Sequence, residues 1–243
     1  MPTGWRPGAP HYVGVGTARS GTSWWDRLIC AHPRVIRLPG TPKDVHFFDD
    51  RWDRGLDDRD VERYHAWFAR PAGSISGEWT PDYMLQAWTP ALLHRAAPEA
   101  RLLVLLRDPV ERFRSAQTLA EHRVTIGATA RAAANATFHR GLYADQLLRL
   151  WAAFPPEQVL VLQYEQCVAD PRGQLLRTYA FIGLDASLPE DVDLSQRVGA
   201  TGGPRVSLST WQEAMLVRRY GPENERLATL VPDLDLALWR MPS

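Results

Sequence analysis

Between the apolar run YVGV and the segment WWDRLIC, residues Gly16 to Ser23 read GTARSGTS. Small residues that leave backbone N–H groups bare, several hydroxyls, one cation and a helix start are what a phosphate binds. Gly16 and Gly21 stand at the GxxxxG spacing of a nucleotide-phosphate loop, but Thr22 occupies the position of that loop's Lys. The cation is Arg19, two residues before Gly21. The same residues also suit a plain strand–turn–helix corner. A second group lies in LLVLLRDPVERFRSAQ, where an apolar run ends at Arg107, Asp108-Pro109 opens a helix, and Ser115 follows on it. An Arg at a strand end can grip a second phosphate, with the Ser115 hydroxyl assisting; alternatively it bridges to Asp108 or Glu111. The third group is Lys43-Asp44-Val45-His46. A spacing of two puts Asp44 and His46 on one side of an extended chain, and either can act as a general base. Surface charge beside the apolar pair Phe47-Phe48 is the plainer reading.

These groups need elements to hold them. Residues 11–16, 74–78, 101–106 and 158–163 read as strands, and LLVLL and QVLVLQ have the continuous apolar character of strands buried on both faces. Helices are expected at about 21–32, 57–69, 90–97, 108–121, 141–154, 170–182, 209–220 and 222–230. Residues 43–48 read as a short strand or an extended active-site segment. Residues 122–137 are Ala-rich, either lid or helix, and 183–206 form a long irregular stretch. No repeat is present. Alternating strands and helices predict one α/β domain over residues 1–243, a central parallel sheet flanked by helices, with ligands at the carboxyl ends of the strands.

Composition narrows the function. The chain has 243 residues with 28 basic and 28 acidic groups, so a general grip on nucleic acid is not expected and any anion site is local. Lys43 is the only lysine. The two cysteines, Cys30 and Cys167, make neither a metal-ligand spacing nor a disulfide framework. No apolar run approaches a membrane span and the first residues lack the core of a signal peptide, so a soluble, cytoplasmic protein is expected, with no membrane partner.

Taken in order, these segments resemble the sulfotransferases that use 3′-phosphoadenosine 5′-phosphosulfate (PAPS), and are similar to the heparan-sulfate-type and bacterial branch. GTARSGTSWW resembles the family's 5′-phosphosulfate loop, and RDPVERFRS its 3′-phosphate motif, with Arg107 and Ser115 at the matching ends. DVHFFD resembles the segment carrying the catalytic acidic residue, usually Glu there and Asp44 here. RGLYADQL, QVLVLQYEQCVADP and YGPENERL extend the likeness over most of the chain. Arg19 replaces the loop Lys of the heparan-sulfate branch. Trp79, in GEWTPDY, replaces a family Lys, whose contact is lost or supplied elsewhere. Gly203 and Arg205 lie where the family has its nucleotide-closing loop.

The resemblance implies a P-loop-like fold and sulfuryl transfer from PAPS to a hydroxyl or amine of a glycan or small molecule, without a metal. Arg19, Ser20, Gly21, Thr22 and Ser23 would hold the 5′-phosphosulfate, and Arg107 and Ser115 the 3′-phosphate. Asp44 would take the acceptor proton, with His46, nearer neutrality at about 6.5 when unperturbed, as the rival base. Trp79, Tyr83, His122 and Tyr143, with Asp44 and His46, form the expected acceptor wall. A phosphate-loop kinase would need the missing loop Lys and a strand-end carboxylate for Mg²⁺. A nucleotide-binding module without catalysis would leave Asp44 and His46 unexplained.

Overall fold

Four short runs form the sheet: β1 (Tyr12–Gly16), β2 (Gly77–Trp79), β3 (Arg101–Leu106) and β4 (Val159–Gln163). They lie in the order β2-β1-β3-β4, every neighbouring pair parallel, so all four carboxyl ends emerge at one edge. The computed structural model describes residues 2–122, 130–189, 192–197 and 205–242, with backbone alone at 120–122 and 130–131. The expected α/β domain with a central parallel sheet is what is observed.

The strand period divides the core between the two faces. Leu102, Val104 and Leu106 join Val13 and Val15 on one face, while Leu103 and Leu105 join Tyr12 on the other. The first face is covered by α2 (Asp58–Ala66), α3 (Thr89–Ala96), α6 (Tyr143–Trp151) and α9 (Thr210–Leu230). The second is covered by α1 (Thr22–Cys30) and α8 (Pro171–Phe181). The five residues from Leu102 to Leu106 are all buried, each contributing roughly 1.5–3 kcal/mol as a large aliphatic side chain removed from water. The remaining helices are α4 (Pro109–His122), α5 (Ala130–His139) and α7 (Tyr164–Ala169).

Several boundaries differ from those read in the sequence. Residues 209–230 form one helix with Pro222 inside it, not two. A continuous buried stripe of Leu216, Tyr220, Asn224 and Leu227 outweighs the hydrogen bond that Pro222 removes. Gly221 fits there because a Cβ would meet Pro242 at 2.6 Å. The short helix α7, directly after β4, was not anticipated. Residues 43–48 form no strand; side chains hold them, as described below.

Candidate active site at the carboxyl edge of the sheet

The Gly-rich loop leaves β1 and is tied to the end of β3. Thr17 donates to the Leu105 carbonyl twice, from N at 3.1 Å and from Oγ1 at 2.9 Å. Ser20 Oγ lies 2.6 Å from Thr17 Oγ1, and Ser20 N donates to the Thr17 carbonyl at 3.2 Å. Ser20 is fully buried, so its hydroxyl braces the loop and does not face a ligand, contrary to the expected donor contact. Gly21 caps α1 with φ +91°, and a Cβ on it would meet the Tyr164 ring at 2.7 Å. Only glycine satisfies both constraints. The N–H groups of Thr22 and Ser23 then fall in the first turn of α1, the orphan donors of a helix N-terminus.

Arg19 joins this loop to the helix after β3. Its Nε donates to Ser115 Oγ at 3.2 Å, and its carbonyl accepts from Arg107 Nη1 at 3.2 Å. Residues 88 and 96 positions apart thus converge on one spot. The Arg107 guanidinium lies 4.7 Å above the Tyr164 ring and 3.8 Å from Glu111. Its Nε is buried with no hydrogen-bond partner among the described residues, a donor that suits an incoming anion. The structural bridge to Glu111 is therefore present but loose. Burial pushes the Glu111 carboxyl up, yet Arg240, Arg114 and Arg107 outweigh it and hold the group below the usual range. Arg205 reaches the same carboxylate at 3.7 Å. Gly203 lies outside the described residues. Asp108 caps α4 by accepting from Val110 and Glu111 N–H, as its position before Pro109 predicts.

The Asp44–His46 segment sits against the end of β2. Three consecutive amides find side-chain acceptors: Val45 N on Glu78 Oε2 at 3.1 Å, His46 N on Thr80 Oγ1 at 3.2 Å and Phe47 N on Tyr83 OH at 2.8 Å. His46 has φ +54°, and its Nδ1 lies 2.7 Å from Asp49 Oδ2, with Gln86 donating to the other Asp49 oxygen at 2.8 Å. An ionised carboxylate only accepts, so Nδ1 carries the proton and Nε2 is left as the basic nitrogen. Asp44 is held differently. Its Oδ1 lies 2.5 Å from Lys43 Nζ, which also donates to the Trp79 carbonyl at 3.1 Å.

Much of the expected acceptor wall belongs to the core. Trp79 is fully buried, packs over Gly14 and donates from Nε1 to the Gly16 carbonyl at 3.1 Å. Tyr83 is buried between Phe47 N and Glu78, and Tyr143 is buried with its hydroxyl on the Arg107 carbonyl at 2.9 Å. These three support the site from behind and do not line an acceptor cleft. The His122 side chain lies outside the described residues. Sequence reasoning missed Tyr164, Glu78 and Asp49. Tyr164 follows β4 directly, so the strand-end logic that singled out Arg107 also points to it. Glu78 is wholly buried with no cationic partner among the described residues, and burial pushes its pKa up to about 7 against the pull of Thr80, Tyr64, Val45 and Tyr83.

A model of the sulfotransferase family matches residues 78–188. The heparan sulfate glucosamine 3-O-sulfotransferase 6 of Mus musculus is 32% identical over 187 residues, covering 72% of this chain and 52% of that protein. The chain thus spans about half the length of the curated relatives it matches. The crystal structure of a sulfotransferase from Alicyclobacillus acidocaldarius is 25% identical with a TM-score of 0.75, covering 95% of this chain and 99% of that one. The expected cytoplasmic location is overturned here. Another relative, 28% identical over 103 residues and covering 42% of this chain and 21% of that protein, is the membrane-associated sulfotransferase kil1 of Dictyostelium discoideum. Among the described residues no helix is long and apolar enough to cross a membrane.

Proposed function

We propose that the chain is a sulfotransferase and that it transfers a sulfuryl group from PAPS to a hydroxyl or amine of a glycan. The observation that carries this reading is the meeting of Arg19, Arg107 and Ser115 at the carboxyl edge of the sheet. A donor with phosphates at both its 5′ and 3′ positions needs two anion sites fixed relative to each other, and in this reading Arg19 serves one and Arg107 with Ser115 the other.

In this reading the first-turn N–H groups of α1, with Thr22, Ser23 and Arg19, hold the 5′-phosphosulfate and balance charge as it develops on the leaving oxygen. Gly21 lets the backbone approach. Arg107 and Ser115 hold the 3′-phosphate, and Arg205 closes over it. His46 Nε2 takes the acceptor proton while the new oxygen–sulfur bond forms and the bond to the 5′-phosphate oxygen breaks, releasing 3′-phosphoadenosine 5′-phosphate (PAP). Asp49 keeps the ring in the right tautomer. The Asp44 oxygen nearest the ammonium is engaged by Lys43, so Asp44 holds that cation beside the site and His46 is the base. Lys43, at the Trp79 carbonyl, supplies positive charge at the position where the resembling family segment carries its Lys.

A glycan acceptor is supported by the relative whose name gives heparan sulfate glucosamine as its acceptor. The test is incubation with PAPS and a heparan sulfate oligosaccharide, followed by mass spectrometry. The expected product is heavier by one sulfuryl group, with PAP formed in equal amount. EDTA-sensitive phosphoryl transfer from ATP, with none from PAPS, overturns the reading.

A further inference from the structure

The segment that carries Asp44 and His46 forms no strand and meets β2 through a backbone bond from Trp79 N to the Lys43 carbonyl at 2.9 Å, yet its direction is tightly specified. The amides of Val45, His46 and Phe47 each meet a side-chain oxygen, and all three acceptors lead back to one group. Glu78 Oε2 accepts from Val45 N and from Thr80 Oγ1, the latter at 2.5 Å. Glu78 Oε1 accepts from Tyr64 OH at 2.7 Å and Tyr83 OH at 3.4 Å. Thr80 and Tyr83 give their hydroxyl protons to Glu78 and so present lone pairs to His46 N and Phe47 N. Four donors facing one side chain match the four acceptor sites of a carboxylate.

We propose that Glu78 is a positioning residue for the base, setting the backbone at Val45 directly and at His46 and Phe47 through the Thr80 and Tyr83 hydroxyls. The proposal rests on the sulfuryl-transfer reading and deepens it. An unpaired charge in a core is costly, and an aliphatic side chain would fill the same volume more cheaply. What the carboxylate adds is orientation. His46 sits at φ +54°, a conformation that L residues avoid unless neighbouring contacts hold it. Three fixed amides around that residue supply the hold, and a displacement of about 1 Å at a catalytic group costs on the order of 100-fold in rate.

Two substitutions at Glu78 separate orientation from mere filling. Glu78→Met keeps the length and removes every acceptor. Glu78→Gln keeps one oxygen, which can face the rigid Val45 N–H and Thr80, while the rotatable Tyr64 and Tyr83 hydroxyls turn to accept from its amide. The readouts are kcat with PAPS and a heparan sulfate oligosaccharide, Kd for PAP by calorimetry, and amide hydrogen exchange at residues 45–47. Glu78→Met is expected to lower kcat about 10–100-fold, to leave PAP affinity within about twofold, and to speed exchange at all three amides, with Glu78→Gln restoring most of both. Unchanged exchange in Glu78→Met, or a fall in PAP affinity as large as the fall in kcat, overturns the proposal. If Glu78→Met does not fold, Thr80→Val must speed exchange at His46 and Tyr83→Phe at Phe47; wild-type exchange in both overturns it. Absence of sulfuryl transfer by the wild-type protein refutes the functional reading, and the exchange measurement still decides the role of Glu78.

Discussion

Asp44 and His46 lie two positions apart and have opposite surroundings. Asp44 is bound to Lys43, whereas the His46 ring is held by Asp49 and keeps Nε2 available. His46→Ala is therefore expected to lower kcat by about 100-fold or more, the scale of a positioned base. Asp44→Ala is expected to lower it less, and a steady-state comparison of the two decides the assignment. Arg107 has a buried Nε without a partner among the described residues and its cation over the Tyr164 ring, and in the proposed reading it meets the 3′-phosphate. Charge-assisted hydrogen bonds of this kind contribute about 1.5–3 kcal/mol, so Arg107→Ala should weaken PAP binding roughly 10–100-fold by calorimetry. Arg19→Ala should instead fall mainly in kcat, by roughly 100-fold, because its charge is needed most as the leaving oxygen develops its own.

At the level of elements, the loop and the end of β2 depend on close backbone approach. Trp79 can reach the Gly16 carbonyl only because Gly14 leaves room: a Cβ at Gly14 would stand 2.1 Å from the indole. Gly14→Ala is expected to destabilise the protein by about 1–3 kcal/mol through overpacking, read as a lower urea midpoint with an unchanged slope. Gly21→Ala combines φ +91° with a 2.7 Å approach to Tyr164, so it should weaken PAP binding as well as lower stability. A variant that lost stability but kept PAP affinity would show that the loop tolerates a shifted α1.

For the whole molecule, Glu78 links folding to pH. Burial raises its carboxyl from 4.5 to about 7, so the folded state binds a proton more readily than the unfolded chain between those values. Burial also raises the two tyrosines that face it, Tyr64 and Tyr83, so neither ionises in this range. The contribution is fully present below about pH 4.5 and is lost as pH rises through about 7, an effect of roughly 3 kcal/mol. Denaturant unfolding at pH 5 and pH 8 should show wild-type stability falling relative to Glu78→Gln by that order as pH rises. A constant difference between the two proteins would mean that Glu78 does not titrate in the folded state.

The chain alone determined the features whose physics is local. Glycine spacing, apolar runs and the Asp-Pro start of α4 act over a few residues, so the Gly-rich loop after β1, the strand that leads into Arg107 and the parallel α/β class were legible. The resemblance assigned Arg19 and Ser115 to opposite ends of one donor, and the contact between them across 96 positions was made by the fold. Side-chain direction was not legible. Trp79, Tyr83 and Tyr143 have the composition of a ligand wall, but the packing of β2 and α6 turned them into the core. Ser20 became a brace because Thr17 is anchored to β3, and Pro222 stayed inside a helix because a tertiary stripe outweighed local preference. The contrast between Asp44 and His46 came from Lys43, Asp49 and the end of β2 together. Hydrogen-bond partners contributed by another strand cannot be read from the spacing of residues within one segment; only the assembled sheet edge brings them within reach.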